Sequence, residues 1–529
     1  MIPCLLFEDE HLLAVAKPAG WDLRASGPCA GEGIFDWLRH REPRWARLAA
    51  VHPRSAEVSG VAVFALSEAA AQALKQQFAE SAVEERFLFL TDRPAGDAAR
   101  EIRSGIARAS GRCEIRPLAS GSPTAHTRFR SLGPDPGGTR IEAVLVAGTT
   151  DSIRVHAAAC GWPILGDSIY GGSAAPRLML HAAGLRLRHP ASGAPLAFET
   201  PPEFDQPPFR TRRLAIIDPK ETTAYRLIHG GADGWPGWFV DRLEDDLLAA
   251  STLELTPGRR ALLDSWRRIA EARAVYYRLL TRPSQNQPAE RPRLDCAAGS
   301  PGPGRFAIRE NDLRFLLRMG EGGAGGLFLD QRDNRRRLLA GHVAAGFPLF
   351  PDGAAGRTVL NTFAYTAAFS VCAAAAGAHT VSLDLSRNYL EWGRDNFRAN
   401  GIDPAEHEFV VGDVFSWLKR WRRRERFFDL VILDPPTFSR SREHGAFRAE
   451  EDYAALAQGA IAVLRRGGVL LASSNAAQWP PADFQDAIES AAAVLRRRIL
   501  RRHYAPQPPD FPAHPDTPAY LKTLWLRLE

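Results

Sequence analysis

Apolar and polar positions in the C-terminal third of the chain follow two alternating periods. Five runs, TVLNTFAY (358–365), HTVSLDL (379–385), EHEFVVGDV (406–414), FDLVILDPP (428–436) and GGVLLASSN (467–475), are apolar, rich in β-branched residues and bounded by turn formers. Such runs predict buried strands. Between them SRNYLEWGRDNFRANG (386–401) and EDYAALAQGAIAVLRR (451–466) space their apolar residues as helices do. Strands alternating with helices predict an α/β fold, a parallel sheet covered on both faces with ligands at the carboxyl ends of its strands.

Proline-rich ETPPEFDQPPF (199–209) interrupts any regular element, and RPSQNQPAERPRLDCAAGSPGPGR (282–305) does so again. Between these breaks, strand-like DDLLAAS (245–251) and AVYYRLL (274–280) flank a helical segment. The predicted organisation is a first domain over 1–208, a small α+β connector over 209–304 and the α/β domain over 305–529. A chain of 529 residues exceeds the about 100–200 residues that one domain usually holds.

Charge and cysteine content change the picture only slightly. The net charge of +6 and pI near 9.1 favour a polyanionic partner weakly. Two local clusters, KRWRRRER (419–426) and RRRILRRH (496–503), read equally well as phosphate contacts or as solvated faces. No apolar run approaches the roughly 20 residues that cross a bilayer. The opening MIPCLLFEDEHLLAVAKPAG lacks the basic start of a signal peptide, so a cytoplasmic location is expected. The six cysteines show no C-x-x-C or metal-like spacing, and no metal site is expected.

Candidate chemistry lies at the strand tips. Asp384 ends the second predicted strand, where a carboxylate can accept two ribose hydroxyls; Asp413 ends the third and Asp434 the fourth. Three buried acids at consecutive tips are costly unless donors or a cation meet them. A nucleoside carrying a sulfonium would do so. A dehydrogenase would share the sheet and the ribose acid, but the first strand runs into NTFAYTAAF (361–369), without the G-x-G-x-x-G of a dinucleotide site.

Six segments in order, GGLFLDQRDNRR (325–336), VLNTFAYTAAFSV, LDLSRNYLEWGRDNFRANG, VVGDVFSWL, DLVILDPPTFSRS and PAYLKTLWLRL, resemble the class I S-adenosylmethionine-dependent methyltransferases, and within them the large-subunit rRNA base methyltransferases. AYRLIHGGADGWPGWFVDR (224–242) is similar to the small central domain of that family. The resemblance implies a Rossmann-like domain, S-adenosylmethionine as cofactor and rRNA or its precursor as partner. It places Asp330, Gln331 and Arg332 near the cofactor. Asn361, Phe363, Tyr365 and Thr366 would lie at the methionine end, Asp384 with Leu385 at the ribose, and Asp413 with Val414 at the adenine. Asp434, Pro435, Pro436 and Phe438 would form the acceptor pocket, with Asn475 a further contact. Ala367 and Ala368 stand where the family has glycines; an added methyl there predicts crowding of the methionine end.

Methylation of cytosine at C5 needs a cysteine nucleophile, and in the branch that performs it this residue stands just after the fifth strand. Here that place reads ASSNAAQW. DPPTFSRS and then SSN resemble instead the branch that methylates guanine at N7, whose ring lone pair attacks without a protein nucleophile. Asp434-Pro435-Pro436 would present a carboxylate and backbone to the base edge while Phe438 stacks on the flipped ring. A cytosine C5 enzyme and a noncatalytic RNA-binding assembly factor remain the alternatives.

The N-terminal third resembles the RluA-type pseudouridine synthases in LLFEDEHLLAVAKPAGWDL (5–23), VHPRSAEVSGVAVFAL (51–66), FAESAVEERFLFL (78–90), AGTTDSIRVHAAACGWPILGDSIYGG (147–172) and LMLHAAGLRLRHP. Its expected catalytic aspartate is Ser55, its expected aromatic hydroxyl is Phe87, and of the charged G-R-T-H-Q-I-R apparatus only Arg154 remains. Synthase activity is therefore not expected. A noncatalytic RNA-binding module is, with Arg54, Arg86 and Arg154 lining its groove; the alternative is a relic retained for solubility or dimerisation.

Overall fold

The computed structural model describes every residue except 1, 28, 97–98, 110–111, 119–123, 281–293, 321–324 and 442–444. The chain forms two compact units: Met1–Ala25, Gly33–Arg39 and Arg47–Asp218, and then Ser26–Glu32, His40–Ala46 and Pro219–Glu529. The first is an α+β unit built on an 11-stranded sheet, with two cores beneath it. Phe87, Phe89, Phe129 and Trp162 fill one; Leu12, Val61, Val63 and Leu74 fill the other.

The expected first boundary at 208 lies ten residues early. Pro208 opens a helix, Pro208–Ile216, and proline suits the first turn of a helix as well as it suits a linker. The expected second boundary falls partly outside the described residues. Its flank shows why three domains become two units. The connector's five-stranded sheet carries Ala224–His229, Trp238–Leu243, Asp246–Ser251, Ala274–Leu279 and Asp295–Gly299 around the helix Pro257–Ile269. Its Ala224 and Leu243 are buried in the same core as Leu430, Val469 and Trp525 of the C-terminal sheet.

That sheet has seven strands: β1 (Thr358–Thr362), β2 (His379–Asp384), β3 (Glu408–Val411), β4 (Phe428–Leu433), β5 (Leu464–Ser474), β6 (Ile499–Pro506) and β7 (Lys522–Leu528). Their order is β3-β2-β1-β4-β5-β7-β6, parallel except where β7 runs against β5 and β6. Both faces are buried, and alternate residues of each strand serve opposite cores. Val359, Leu430 and Ile432 face α1 (Arg332–Ala340) and α2 (Ala368–Ala375). Leu360, Val431 and Leu433 face α4 (Val414–Arg423), α5 (Ala449–Ile461) and α6 (Pro481–Val494). Between α2 and α4 in sequence lies α3 (Arg387–Ala399). Strand β4 ends at Leu433, three residues before the predicted end, because the prolines after Asp434 cannot donate to a ladder. The helix expected to run to 466 stops at Ile461, and Leu464 pairs instead with Phe428.

The turn after β1 is wound tightly enough to hold three non-glycine residues in the left-handed region, Phe363 (φ 53°), Tyr365 (φ 49°) and Ala367 (φ 59°). Each such residue costs roughly 1–2 kcal/mol, so the surrounding packing must fix the turn. Asp384 accepts the Tyr365 N–H at 2.9 Å, Thr366 donates its hydroxyl to the Gly326 carbonyl at 2.6 Å, and Asn396 reaches the Thr366 carbonyl at 2.9 Å. The Ala367 methyl is fully buried and faces Gly393 of α3, where a Cβ would stand 2.9 Å away. It does not reach the cleft at the carboxyl edge of the sheet, so the expected crowding of a ligand is replaced by a fit between helix and turn.

Gly393→Ala should therefore destabilise the protein by about 1–3 kcal/mol despite alanine's better helix propensity. Adding Ala367→Gly should recover most of that loss. Denaturant melts of the two single variants and the double variant measure the coupling, and additive effects would contradict the contact.

Candidate active site

A cleft of about 460 Å³ opens along the carboxyl edge of the seven-stranded sheet. Each neighbouring strand contributes the residues at or just past its tip: Phe363 and Tyr365 after β1, Asp384 and Leu385 at β2, Asp413 and Val414 after β3, Asp434-Pro435-Pro436 after β4 and Asn475 after β5. The short turn Leu329–Gln331 supplies Asp330 and Gln331, and the hairpin Phe438–Ser441/Gly445–Arg448 supplies Phe438 and Phe447. The sequence-predicted acids thus face one space. Phe328, Tyr389, Phe415, Thr437, Ser439, Gly445 and Leu521 complete its lining.

The acids differ in how the protein holds them. Asp384 accepts backbone N–H groups from Tyr365 (2.9 Å) and Ser386 (2.8 Å), yet burial outweighs both and raises its pKa. Asp413 caps α4, accepting the Ser416 N–H at 3.0 Å. Asp434 is pushed up to about 7 by burial, with the nearby Asp330 adding to the shift. Asp330 is itself raised by burial and accepts the Tyr520 hydroxyl at 2.8 Å.

Gln331 ties this acid pair to the sheet. Its amide donates to Asp434 (3.1 Å) and to the Ser473 hydroxyl (2.8 Å), and it accepts from Asn334 (2.7 Å). On the other side the Thr437 hydroxyl donates to Asn475 at 3.0 Å, joining the proline turn to the end of β5. Phe438, 56% exposed, forms the lip of the cleft with the Arg448 guanidinium 5.6 Å above its ring.

Three residues expected at the cofactor lie away from the cleft. Arg332 turns aside into a buried bidentate pair with Asp510 (2.7 and 2.8 Å). Asn361 donates to Ser370 beneath the sheet edge, and Thr366 holds Gly326. All three support the turns that shape the site without lining it. The arginines expected in an RNA groove of the first unit are neutralised as well. Arg54 pairs with Glu85 at 2.9 Å, its side chain 2% exposed, and stacks on the buried Phe87. Arg154 forms a buried bidentate pair with Asp167 (2.7 and 2.8 Å). Arg86, 30% exposed, is shared by Glu142 and Glu199. Each charge is met internally, which removes the reason for placing RNA there.

The sequence reading missed Phe328, Tyr389 and Tyr520. Tyr389 sits five residues past Asp384 on α3 and meets Tyr365 edge-on at 4.5 Å, with Phe328 5.4 Å from Tyr365 on another side. An aromatic one turn beyond a strand-tip acid was the available signal.

The arrangement fits a sulfonium nucleoside. Among the described residues, Asp330, Asp384, Asp413 and Asp434 form no ion pair, and the arginines whose charge reaches Asp330, Arg226 and Arg335, are committed to Asp241 and Glu310. A cationic centre, ribose hydroxyls and an adenine amine would supply the missing charge and donors. The Tyr365 hydroxyl is buried with no partner at hydrogen-bonding geometry among the described residues, and burial with the neighbouring Tyr389 pushes its pKa up to about 12.

Comparison with known proteins agrees with the geometry. Residues 225–527 match the S-adenosylmethionine-dependent methyltransferase family, and residues 11–159 match the RNA pseudouridylate synthases. A ribosomal RNA large subunit methyltransferase of Deinococcus radiodurans is 34% identical over 332 residues, 60% of this chain and 76% of that protein. Ribosomal RNA large subunit methyltransferase I of Serratia proteamaculans is 32% identical over 57% of this chain and 73% of its own. Among solved structures, one described as a methyltransferase complexed with SAH is 31% identical, with a TM-score of 0.50 over 58% of this chain and 76% of the other. A Streptococcus mutans protein described as SAM-dependent is 29% identical, with a TM-score of 0.51 over 60% and 78%. With the sheet, the strand-tip acids and these likenesses in agreement, the chain belongs to the S-adenosylmethionine-dependent methyltransferases.

Proposed function

We propose that the second unit methylates a base of large-subunit ribosomal RNA and that the acceptor is a guanine ring nitrogen, N7 in the simplest case. The relatives' names support the RNA class. The observation that carries the choice of atom is the content of the cleft: carboxylates, amides and aromatics line it, and no cysteine does among the described residues. Cys372 is on the buried face of α2 in the core, and burial pushes its thiol up, away from the nucleophilic thiolate.

Bound S-adenosylmethionine would supply a methyl group on a positively charged sulfur. Asp384 would accept its ribose hydroxyls and Asp413 its adenine amine, while Phe363 and Tyr365 wall the methionine end. The Asp434-Pro435-Pro436 turn is stiff because both prolines fix φ, and it would hold the base edge while Phe438 covers the ring. A ring nitrogen attacks with its lone pair and loses no proton, so the protein's task is orientation. Methylation at N7 leaves the purine positively charged, and the unpaired acids beside the acceptor favour that charge as it develops.

The first unit is read as noncatalytic. Ser55 lacks the carboxylate that uridine isomerisation requires, and Phe87 is a core residue with no hydroxyl.

Calorimetry should give one S-adenosylmethionine site per chain, weakened about tenfold or more in Asp384→Asn by loss of a charged acceptor. Absence of binding to the parent protein would leave the RNA-binding assembly factor as the better reading.

Asp434 gives a pH signature. Its folded pKa, about 7, lies above the usual carboxylate range, so the native state keeps a proton that the unfolded chain releases. The stability it contributes is full below about pH 4 and is lost as pH rises through about 7. Asp434→Asn should consequently be more stable than the parent above about pH 7, while its kcat/KM falls about 100-fold and no longer rises through that pH. Paired melts and rate profiles check both signs.

Mapping ribosomal RNA from a deletion strain should show one guanine methylation lost and every pseudouridine kept. Loss from a cytosine would overturn the choice of acceptor.

A further inference from the structure

Helix α4 begins at Asp413 in the cleft and ends, about 15 Å away for its 10 residues, in a dense run of cations. Residues 419–426 hold six cations and one acid, against 67 and 61 in the whole chain. Lys419, Arg420, Arg422, Arg423 and Arg424 are all exposed. None of these five forms an ion pair among the described residues; only Arg426 does, with Glu408 at 2.5 Å. Several exposed arginines elsewhere in this unit are paired with acids: Arg305 and Arg398 with Asp395, Arg268 with Asp264, Arg502 with Glu489.

The second cluster joins the first. Phe428 pairs with Leu464, so the chain leaving α4 runs beside the start of β5. The Arg497 guanidinium donates to the carbonyls of Leu464 (3.1 Å) and Arg465 (2.8 Å), bringing Arg496 and Arg498 to the same end of the sheet. There Arg466 and Arg498 share the single Glu529 side chain. Two cations near a helix C-terminus would complement its dipole, a benefit confined to the last turn. Five unpaired cations continued by a second arginine cluster exceed that need and repel one another. Arg420 also stacks on the half-buried Trp417 at 4.7 Å, which sets an aromatic within the patch.

We propose that this amino end of the sheet is a phosphate-binding face that grips the ribosomal RNA backbone at a distance from the cleft, a deepening that rests on the reading of the protein as an RNA methyltransferase. The acidic cleft is a poor place to gather phosphates, whereas this face binds any backbone by charge and leaves selection of the base to the cleft. It replaces the expected arginine groove of the first unit as the source of electrostatic affinity.

The test uses full-length protein and in-vitro-transcribed large-subunit RNA. Combined Arg422→Ala, Arg423→Ala and Arg424→Ala should weaken binding about tenfold or more at 0.15 M salt and make the slope of log affinity against log salt shallower by about 2 to 3. The corresponding triple lysine variant should keep most of both. S-adenosylmethionine affinity and melting temperature, measured alongside, should match the parent and exclude a folding defect. An unchanged salt slope would overturn the proposal, as would loss of binding to phosphatidylserine vesicles with RNA binding intact. A parent protein that neither binds nor methylates the transcript would instead sink the RNA reading itself.

Discussion

Burial of the seven-stranded sheet on both faces is the constraint from which the site arises. The apolar strand residues that face α1 and α2 or α4 to α6 fill the two cores, so a charge carried by a central strand can reach solvent or ligand only past the end of its ladder. Asp384, Asp413 and Asp434 occupy those ends, and the proline turn and left-handed loop stiffen the chain where it leaves the sheet. Strain at Phe363, Tyr365 and Ala367 is tolerated because their turn is pinned by Asp384 at Tyr365, by Asn396 at Thr366 and by Gly393 against Ala367. The cleft is shaped in advance of any ligand, which reduces what binding must spend on ordering.

Electrostatic tension is distributed unevenly over this unit. Among the described residues the four carboxylates of the cleft form no ion pair, and burial, with Asp330 nearby, raises the cost of ionising Asp434 there. Gln331 and Tyr520 relieve that cost with hydrogen bonds and leave the charge unneutralised. A site so arranged rewards a cationic ligand and a product that becomes cationic, and discourages stray phosphates.

Much of this was legible in the chain because the strands are long, apolar and punctuated by acids and prolines. A doubly buried strand must end where its apolar run ends, so the tips of β1, β2 and β4 could be read to within a few residues. Side-chain direction could not be. Arg332 stands next to Gln331 in sequence yet turns toward Asp510, and that pairing joins positions 178 residues apart. Arg54 and Arg154, expected to line a groove, are held instead by Glu85 and Asp167, partners 31 and 13 residues away in sequence. Tyr389 and Phe328 reach Tyr365 from two separate elements, a convergence no local pattern announces. The boundary near 208 was misplaced because a proline-rich stretch can open a helix as readily as it ends a domain.

The shared core of the connector and the C-terminal sheet has a consequence for what can be inherited or expressed alone. Asp510 accepts both the Arg332 guanidinium and the backbone N–H of Arg226, and the Arg226 guanidinium lies 4.6 Å above Phe511. A fragment cut at 305 would strip an apolar wall from Trp525 and deprive Asp510 of one of its donors. A cut between the small sheet and the large one therefore divides a single apolar core, and recombination that shuffled this gene would be disfavoured at that point.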